Sequence, residues 1–343
     1  MLEGTSCYKV GGGVLKMRVL ITGSCGFIGS HLVEYILHHT HWVVVCVDKL
    51  SYSTKGWKRL KDLDAFGNPR VECFTWDLEQ PFSEGMITEL GNIKMIIHMA
   101  AETHVDRSIS DPVAVIQNNV MSTVYLLEYA RSLPNLRLFQ QFSTDEVYGP
   151  CPLGYAFKED DVHTPTNPYS ASKSACEQLC IAYRNTYKLP ILITNLMNVF
   201  GEMQHVEKFI PMTIKKVMHG ETVIIHTEAD GVTSGTRFYI HARNVAEAVV
   251  FILRNGKAGE RYNIPGSLEV SNLELAQKIA AIMGRDLRYE LIANHAARPG
   301  HDLRYCLDGT KLAQMGWTPP NDFDQRLKEV VEWTLEHPEW MEP

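Results

Sequence analysis

Tyr169 and Lys173 stand four residues apart in Tyr169-Ser-Ala-Ser-Lys173. On a helix that spacing puts both side chains on one face. The ammonium of Lys173 would lower the pKa of the Tyr169 phenol, giving a base able to take a proton from a hydroxyl group. The pattern alone is common on helix surfaces, so its neighbours decide its meaning. Upstream runs Ser143-Thr144-Asp145-Glu146-Val147-Tyr148-Gly149. Thr144 can orient the phenol or a substrate hydroxyl. Asp145 and Glu146 set two carboxylates side by side, and such pairs in a protein site tend to titrate apart, one as acid and one as base. Elimination of water needs that division: a base removes a proton alpha to a ketone while an acid protonates the departing hydroxyl. The bland reading is two acids capping a turn.

The second constellation is Gly23-Ser-Cys-Gly26-Phe-Ile-Gly29. It follows an apolar run, opens a helical pattern, and precedes a second apolar run that ends in Asp48. In that setting the glycines allow a tight turn and let the backbone approach a pyrophosphate at the helix N-terminus. Asp48 can accept hydrogen bonds from adenosine ribose hydroxyls and would repel a 2′-phosphate, which favours NAD over NADP; the adjacent Lys49 pulls the other way. Asp77, closing the third apolar run, can reach the adenine or stand solvated at a strand end. Beside this loop, the Tyr169–Lys173 pair reads as the acid–base pair of a nicotinamide enzyme.

The elements that must position these groups follow from apolar periodicity. Strands are predicted at Arg18–Thr22, Val43–Val47, Val71–Trp76, Met95–Met99, Leu136–Phe142 and Ile191–Leu196. Helices are predicted at Ile28–His38, Pro112–Arg131 and Tyr169–Tyr187. Continuous apolar strands separated by helices imply a parallel sheet covered on both faces. The Ser143–Gly149 stretch then lies just past the fifth strand, at the C-terminal sheet edge where such sheets bind ligands. After about residue 200 the elements become shorter and mixed. Ser271-Asn-Leu-Glu274 is a capping box opening a helix. The expected organisation is a flexible N-terminal extension (1–16), an NAD-binding domain (17–200) and a mostly substrate-binding region (201–343), with some chain crossing back and a cleft between the two.

The chain has 343 residues, 45% apolar and 21% charged, which allows a sizeable core. Its net charge of −7 argues against non-specific nucleic-acid binding. The 8 Cys are scattered, which predicts reduced thiols in a cytoplasmic protein. The 14 His show no ligand spacing, and no metal is expected. His104, in a strand-end loop, reads as a substrate contact or a hydrogen-bonded structural histidine. No apolar run reaches membrane-spanning length.

Together these stretches resemble the extended short-chain dehydrogenase/reductases and, within them, the nucleotide-sugar 4,6-dehydratases. The resemblance runs from about Met17 to the end. It rests on the glycine loop through His31, Asp48-Lys-Leu-Ser-Tyr52, Met99–Ile109, Ser143–Gly149, Pro168–Lys173, Glu207–Pro211, Tyr262–Ile264 and Arg298–Tyr305. It implies a Rossmann-like doubly wound parallel sheet with a smaller mixed α/β C-terminal substrate-binding region, and a tightly bound NAD regenerated at each turnover. It implies a nucleoside diphosphate hexose as substrate, dTDP-glucose or another NDP-glucose. It extends the cofactor contacts to Phe27, Ile28, Lys49, Leu78, Ala100, Ala101, Thr103 and Ser143. Tyr169 would deprotonate the sugar 4-hydroxyl, Glu146 would remove the C5 proton, and Asp145 would protonate the departing C6 hydroxyl. Thr103, His104, Thr144, Asn198, Glu207, Lys208, Asn263 and His301 would meet substrate. Arg237 and Arg298 would clamp its diphosphate or nucleotide, work suited to a planar guanidinium. A homodimer through the two long helices is implied as well.

The sequence departs from the family pattern at Ser24-Cys25, at Asn198–Glu202 and around Arg237. The last two bear on the base and sugar rather than the dehydration. A nucleotide-sugar 4-epimerase or decarboxylase would share the loop and Tyr169–Lys173 without needing Asp145-Glu146. A silent NAD-binding regulator would not need Tyr169 or Lys173, both of which are kept.

Overall fold

The computed structural model describes residues 9–10, 13–14, 17–51, 54–293 and 304–342. Strands β1 (Lys9–Val10) and β2 (Gly13–Val14) form a short antiparallel pair inside the predicted extension. The chain then alternates through β3 (Arg18–Thr22), α1 (Phe27–His39), β4 (Val43–Asp48), α2 (Lys58–Asp62), β5 (Val71–Thr75) and α3 (Glu84–Leu90). It continues with β6 (Met95–His98), α4 (Val105–Ser110), α5 (Pro112–Ser132) and β7 (Leu138–Thr144). A 3₁₀ turn, Asp145–Tyr148, precedes α6 (Pro168–Tyr187), β8 (Ile191–Leu196), β9 (Asn198–Phe200) and α7 (Phe209–His219). After β10 (Val223–Thr227) come β11 (Thr236–His241), α8 (Ala242–Asn255), β12 (Arg261–Ile264) and β13 (Leu268–Ser271). The last elements are α9 (Asn272–Ile282), β14 (Tyr289–Ala293), α10 (Thr310–Gln314) and α11 (Phe323–Glu336).

Two compact units are threaded together along the chain. The first takes the chain up to Thr144, then Pro168–Asn195 and Ala246–Tyr262; the second takes Asp145–Asn167, Leu196–Val245 and the chain from Asn263 onward. The first is organised by a seven-stranded sheet in the order β12-β8-β7-β6-β3-β4-β5. Its pairs β5–β4, β4–β3, β3–β6 and β6–β7 are parallel. This is the Rossmann-like α/β architecture expected from the sequence. Every residue of β4 and β6 is buried, which is why those strands read as unbroken apolar runs. Strand order reverses between β3 and β6, so the loops leaving those two strands flank the switch point.

The seventh strand was not foreseen: Arg261–Ile264 returns from far along the sequence. The fifth strand also differs, running to Thr144 rather than stopping at Phe142. Ser143 and Thr144 are buried and extended although neither is apolar. An apolar run marks where a strand is greasy, whereas backbone pairing decides where it ends. Helix α5 starts where its chemistry directs. The Asp111 side chain accepts from the Ala114 N–H, and Pro112 occupies the first turn.

The second unit contains the three-stranded sheet β13-β11-β9 and the pair β10–β14. Phe200, Ile214, Leu275, Ile279, Leu327 and Val331 form its main core. The Ser271 hydroxyl accepts from the Glu274 N–H at 3.1 Å, as the capping box predicts.

Candidate active site

The glycine loop is built so that nothing larger fits. Gly23 sits at φ +68°, and a Cβ there would lie 2.8 Å from the Ala100 Cα and backbone N. A Cβ on Gly29 would lie 2.2 Å from the Gly23 carbonyl oxygen. The loop therefore packs backbone against backbone, between the end of β3 and the start of the loop after β6. Gly26 caps α1, whose N-terminus has neither a side-chain cap nor an acid in its first turn. Those first N–H groups are the donors an anion would use.

A buried relay holds the two loops in register. Thr123 donates to the Asn119 carbonyl at 2.8 Å, so its oxygen is left to accept from His98 Nε2 at 3.2 Å. His98 Nδ1 then accepts from the Thr22 hydroxyl at 2.7 Å. The same Thr22 oxygen accepts the Met99 and Ala100 N–H groups at 3.2 and 3.3 Å. Burial, with the Lys173 charge adding to it, pushes the His98 pKa down to about 3, so the ring is neutral.

Asp48 is buried, and burial raises its pKa against the pull of its hydrogen bonds. One oxygen accepts the Cys25 N–H at 2.9 Å and the other the Leu50 N–H at 2.8 Å. A carboxylate has about four lone-pair sites, so two are left for ribose hydroxyls. Arg59, also buried, donates to the Cys25 carbonyl at 3.0 Å; burial lowers its pKa to about 10. Lys49 is turned away from Asp48, donating to Asn118 at 2.6 Å and Glu79 at 3.1 Å. It is therefore engaged elsewhere rather than held ready for a 2′-phosphate. A cavity of about 400 Å³ opens at the ends of β4 and β5, lined by Lys49, Ser51, Thr75, Trp76, Asp77 and Gln80. Asp77 lines it while accepting the Glu79 N–H at 3.0 Å. Leu78 is buried beside it in sequence; Ala100 and Ala101 are half-buried and Thr103 exposed.

Tyr169 and Lys173 occupy the first turns of α6 and are 7% and 4% exposed. Among the described residues the Lys173 ammonium makes no hydrogen bond or ion pair, and burial lowers its pKa. A buried ammonium in that condition is the group most in need of a partner. Three independent features thus fit a dinucleotide: the glycine cradle, the remaining lone pairs of Asp48 and the Lys173 ammonium, which makes no ion pair among the described residues.

Ser143 and Thr144 form the last two residues of β7. The Ser143 hydroxyl donates to Glu177 at 2.5 Å, and the Asn195 amide donates to the Thr144 carbonyl at 3.2 Å. Asp145 and Glu146 follow directly in the 3₁₀ turn. Asp145 is buried; Glu146 is half-buried and accepts from the Asn167 amide at 3.3 Å. Gly149 closes the turn at φ +78°, where a Cβ would meet the Thr164 carbonyl at 2.4 Å. The two carboxylates are therefore fixed by a folded turn.

The remaining predicted residues divide. His104 caps α4, its Nδ1 accepting from the Arg107 N–H at 3.4 Å. Asn198 lies on β9 opposite Tyr239, and Arg237 lies on β11 with its guanidinium 4.8 Å from the Tyr305 ring centre. Glu207 is exposed and Lys208 precedes α7. Asn263, expected at the substrate, is instead fully buried. Its amide donates to the Phe157 and Asp308 carbonyls at 2.9 and 3.3 Å, while its buried Oδ1 has no hydrogen-bond partner among the described residues. Arg298 and His301 lie outside the described residues. Sequence reasoning missed Glu177, Asn195 and Asn119. Asn119 joins the loop after β6 to α6, exchanging bonds with the Glu102 backbone and donating to Ser172 at 2.9 Å.

A parallel sheet with this glycine loop and Tyr-x-x-x-Lys helix defines an extended short-chain dehydrogenase/reductase. The chain belongs to the family described as GDP-mannose 4,6 dehydratase, whose model matches residues 20–330. A Haemophilus influenzae relative named dTDP-glucose 4,6-dehydratase is 36% identical, covering 93% of this chain and 98% of its own. The crystal structure of DesIV, a dTDP-glucose 4,6-dehydratase from Streptomyces venezuelae with NAD and dTDP bound, superposes with a TM-score of 0.85 at 34% identity. It covers 95% of this chain and 99% of that one. A UDP-glucuronic acid 4-epimerase from Bacillus cereus, solved with UDP-glucuronic acid and NAD, gives the same TM-score at 26% identity, covering 94% and 100%. The scaffold is thus common to both reactions, and the site must decide between them.

Proposed function

We propose that this protein is an NAD-dependent nucleotide-sugar 4,6-dehydratase, converting dTDP-glucose or a related NDP-glucose to the NDP-4-keto-6-deoxy sugar with loss of water. The observation that carries the choice over an epimerase is the Asp145-Glu146 pair, fixed in the turn that follows Thr144. Full-length relatives bearing the dehydratase name support it.

The chemistry that bound NAD supplies is acceptance of the C4 hydride and its later return to C6. Gly23, Gly26 and Gly29 would admit its pyrophosphate at the α1 N-terminus, Asp48 its adenosine ribose, and Lys173 the nicotinamide end. Tyr169 takes the proton of the 4-hydroxyl, with Thr144 orienting phenol and hydroxyl. The resulting 4-ketone acidifies C5, from which Glu146 removes a proton. Asp145 protonates the departing C6 hydroxyl, and Glu146 returns a proton to C5. Tyr169 gains one proton and Asp145 loses one in each turnover, and exchange with water resets them. Arg237 and Lys208 are the described cations proposed to meet the diphosphate or nucleotide.

We further infer a homodimer formed through α5 and α6. Val113 and Ile116 on α5 are 70% and 42% exposed, an apolar surface on a helix already packed against α6. No helix among the described residues is long and apolar enough to cross a membrane. All seven described cysteines are free, which fits a reducing, cytoplasmic setting.

The reading is tested by running the reaction in deuterated water. A 4,6-dehydratase whose Glu146 exchanges its proton with solvent between taking one from C5 and returning one yields product carrying deuterium at C5. Conversion at C4 with no C5 exchange is the epimerase outcome and would contradict it.

A further inference from the structure

Glu177 is buried to 0% exposure on α6, eight residues from Tyr169 and four from Lys173. The three side chains therefore rise along one helix face. A buried carboxylate is costly unless its oxygens are satisfied and its charge is paired. The charge of Glu177 is paired and one of its oxygens is satisfied: that oxygen accepts from the Ser143 hydroxyl at 2.5 Å and the Asn195 amide at 2.9 Å, while the other is ion-paired with Arg261 Nε at 3.0 Å. These partners come from the ends of β7, β8 and β12. Asn195 also donates to the Thr144 carbonyl, so a single carboxylate ties the C-terminal ends of β7 and β8 and the start of β12 to α6.

We propose that Glu177 is a positioning residue for the reaction: it fixes the α6 face carrying Tyr169 and Lys173 against the C-terminal end of β7 and supplies the negative charge opposite the Lys173 ammonium. The idea rests on Tyr169 and Lys173 being the acid–base pair. Lys173 has no ion pair of its own among the described residues, so Glu177, one helical turn away, is the carboxylate on its own helix face that can keep it cationic. The titratable groups facing this pair are Cys176 and Cys180 on α6, Arg261 on β12 and His98 on β6. His98 is neutral, and burial raises both thiols, so none of these three supplies a negative charge. Arg261 is a second cation, which shares the Glu177 carboxylate with Lys173.

The experiment compares kcat, KM and the pH profile of the wild-type holoenzyme with Glu177→Gln and with Glu177→Gln/Arg261→Gln, which removes the buried charges together. Wild-type turnover must come first; its absence would sink the dehydratase reading and not this proposal alone. The proposal predicts that kcat falls roughly tenfold or more while KM stays within about twofold. It also predicts that the alkaline limb of the kcat profile moves down by about one pH unit or more, because Lys173 loses its proton earlier. The double variant decides the matter if the single one does not fold. Wild-type kcat and an unmoved alkaline limb in a folded variant would overturn the proposal. So would failure of both variants to fold, which would make Glu177 a folding residue.

Discussion

Glu146 and Asp48 differ in burial and partners, and each leads to a different expectation. Glu146 is half-buried at the head of a fixed turn, so Glu146→Gln should leave NAD content unchanged and lower kcat by about 10²–10⁴-fold, the range of a lost general base. Loss of C5 deuterium exchange in step with kcat would confirm the assignment; unchanged exchange would reject it. Asp48 carries two loop N–H bonds, so Asp48→Asn should loosen the loop and cut the NAD retained on purification. The placement of Tyr169 and Lys173 on one helix and of Asp145 and Glu146 just past a strand was legible in the sequence because it lies in short spacings. Glu177 was half legible: its place four residues beyond Lys173 could have been noticed. Its partners Ser143, Asn195 and Arg261 lie on three strands far apart in sequence, and no local pattern announces them. A motif fixes where a residue lies along the chain but not which partners its side chain finds: the Asn263 amide donates to the Phe157 and Asp308 carbonyls, which no local pattern announces.

At the scale of elements, the loops after β3 and β6 are coupled through Thr22, His98 and Thr123. The folded-state pKa of His98 is depressed to about 3 from 6.5. The folded state therefore binds fewer protons than the unfolded chain between those values. The contribution of this histidine is complete above about pH 6.5 and is lost as pH falls toward 3, with a limiting slope of about 1.4 kcal/mol per pH unit. Denaturant titrations across pH 4–7 should show that slope in the wild type and a flatter one in His98→Asn. Equal slopes would remove His98 from the account. The glycine loop makes a steric prediction. Gly29→Ala must push a methyl group to 2.2 Å from the Gly23 oxygen, so the variant should copurify with little or no NAD. Wild-type NAD content would show that the loop yields. The glycines, the strand–turn–helix order and the terminal Asp48 are local features and could be read directly. The end of β7 at Thr144 could not, because Ser143 and Thr144 are held in the strand by neighbours rather than by their own polarity.

For the whole molecule, the sequence carried the α/β class and the alternation of its first half. It did not carry the interleaving of two units or the return of β12 to the first sheet, since crossover topology leaves no periodic signal. The exposed apolar surface of α5 predicts a dimer, and sedimentation at micromolar concentration should report twice the chain mass; a monomer would refute the interface. The central claim is dehydration, and proton NMR of the purified protein with dTDP-glucose, without added NAD, tests it most directly. A new C6 methyl doublet is the predicted result, and it would also mean that the cofactor is carried within the protein. No methyl signal with dTDP-glucose, UDP-glucose, UDP-GlcNAc or GDP-mannose, even after NAD is supplied, would contradict the account.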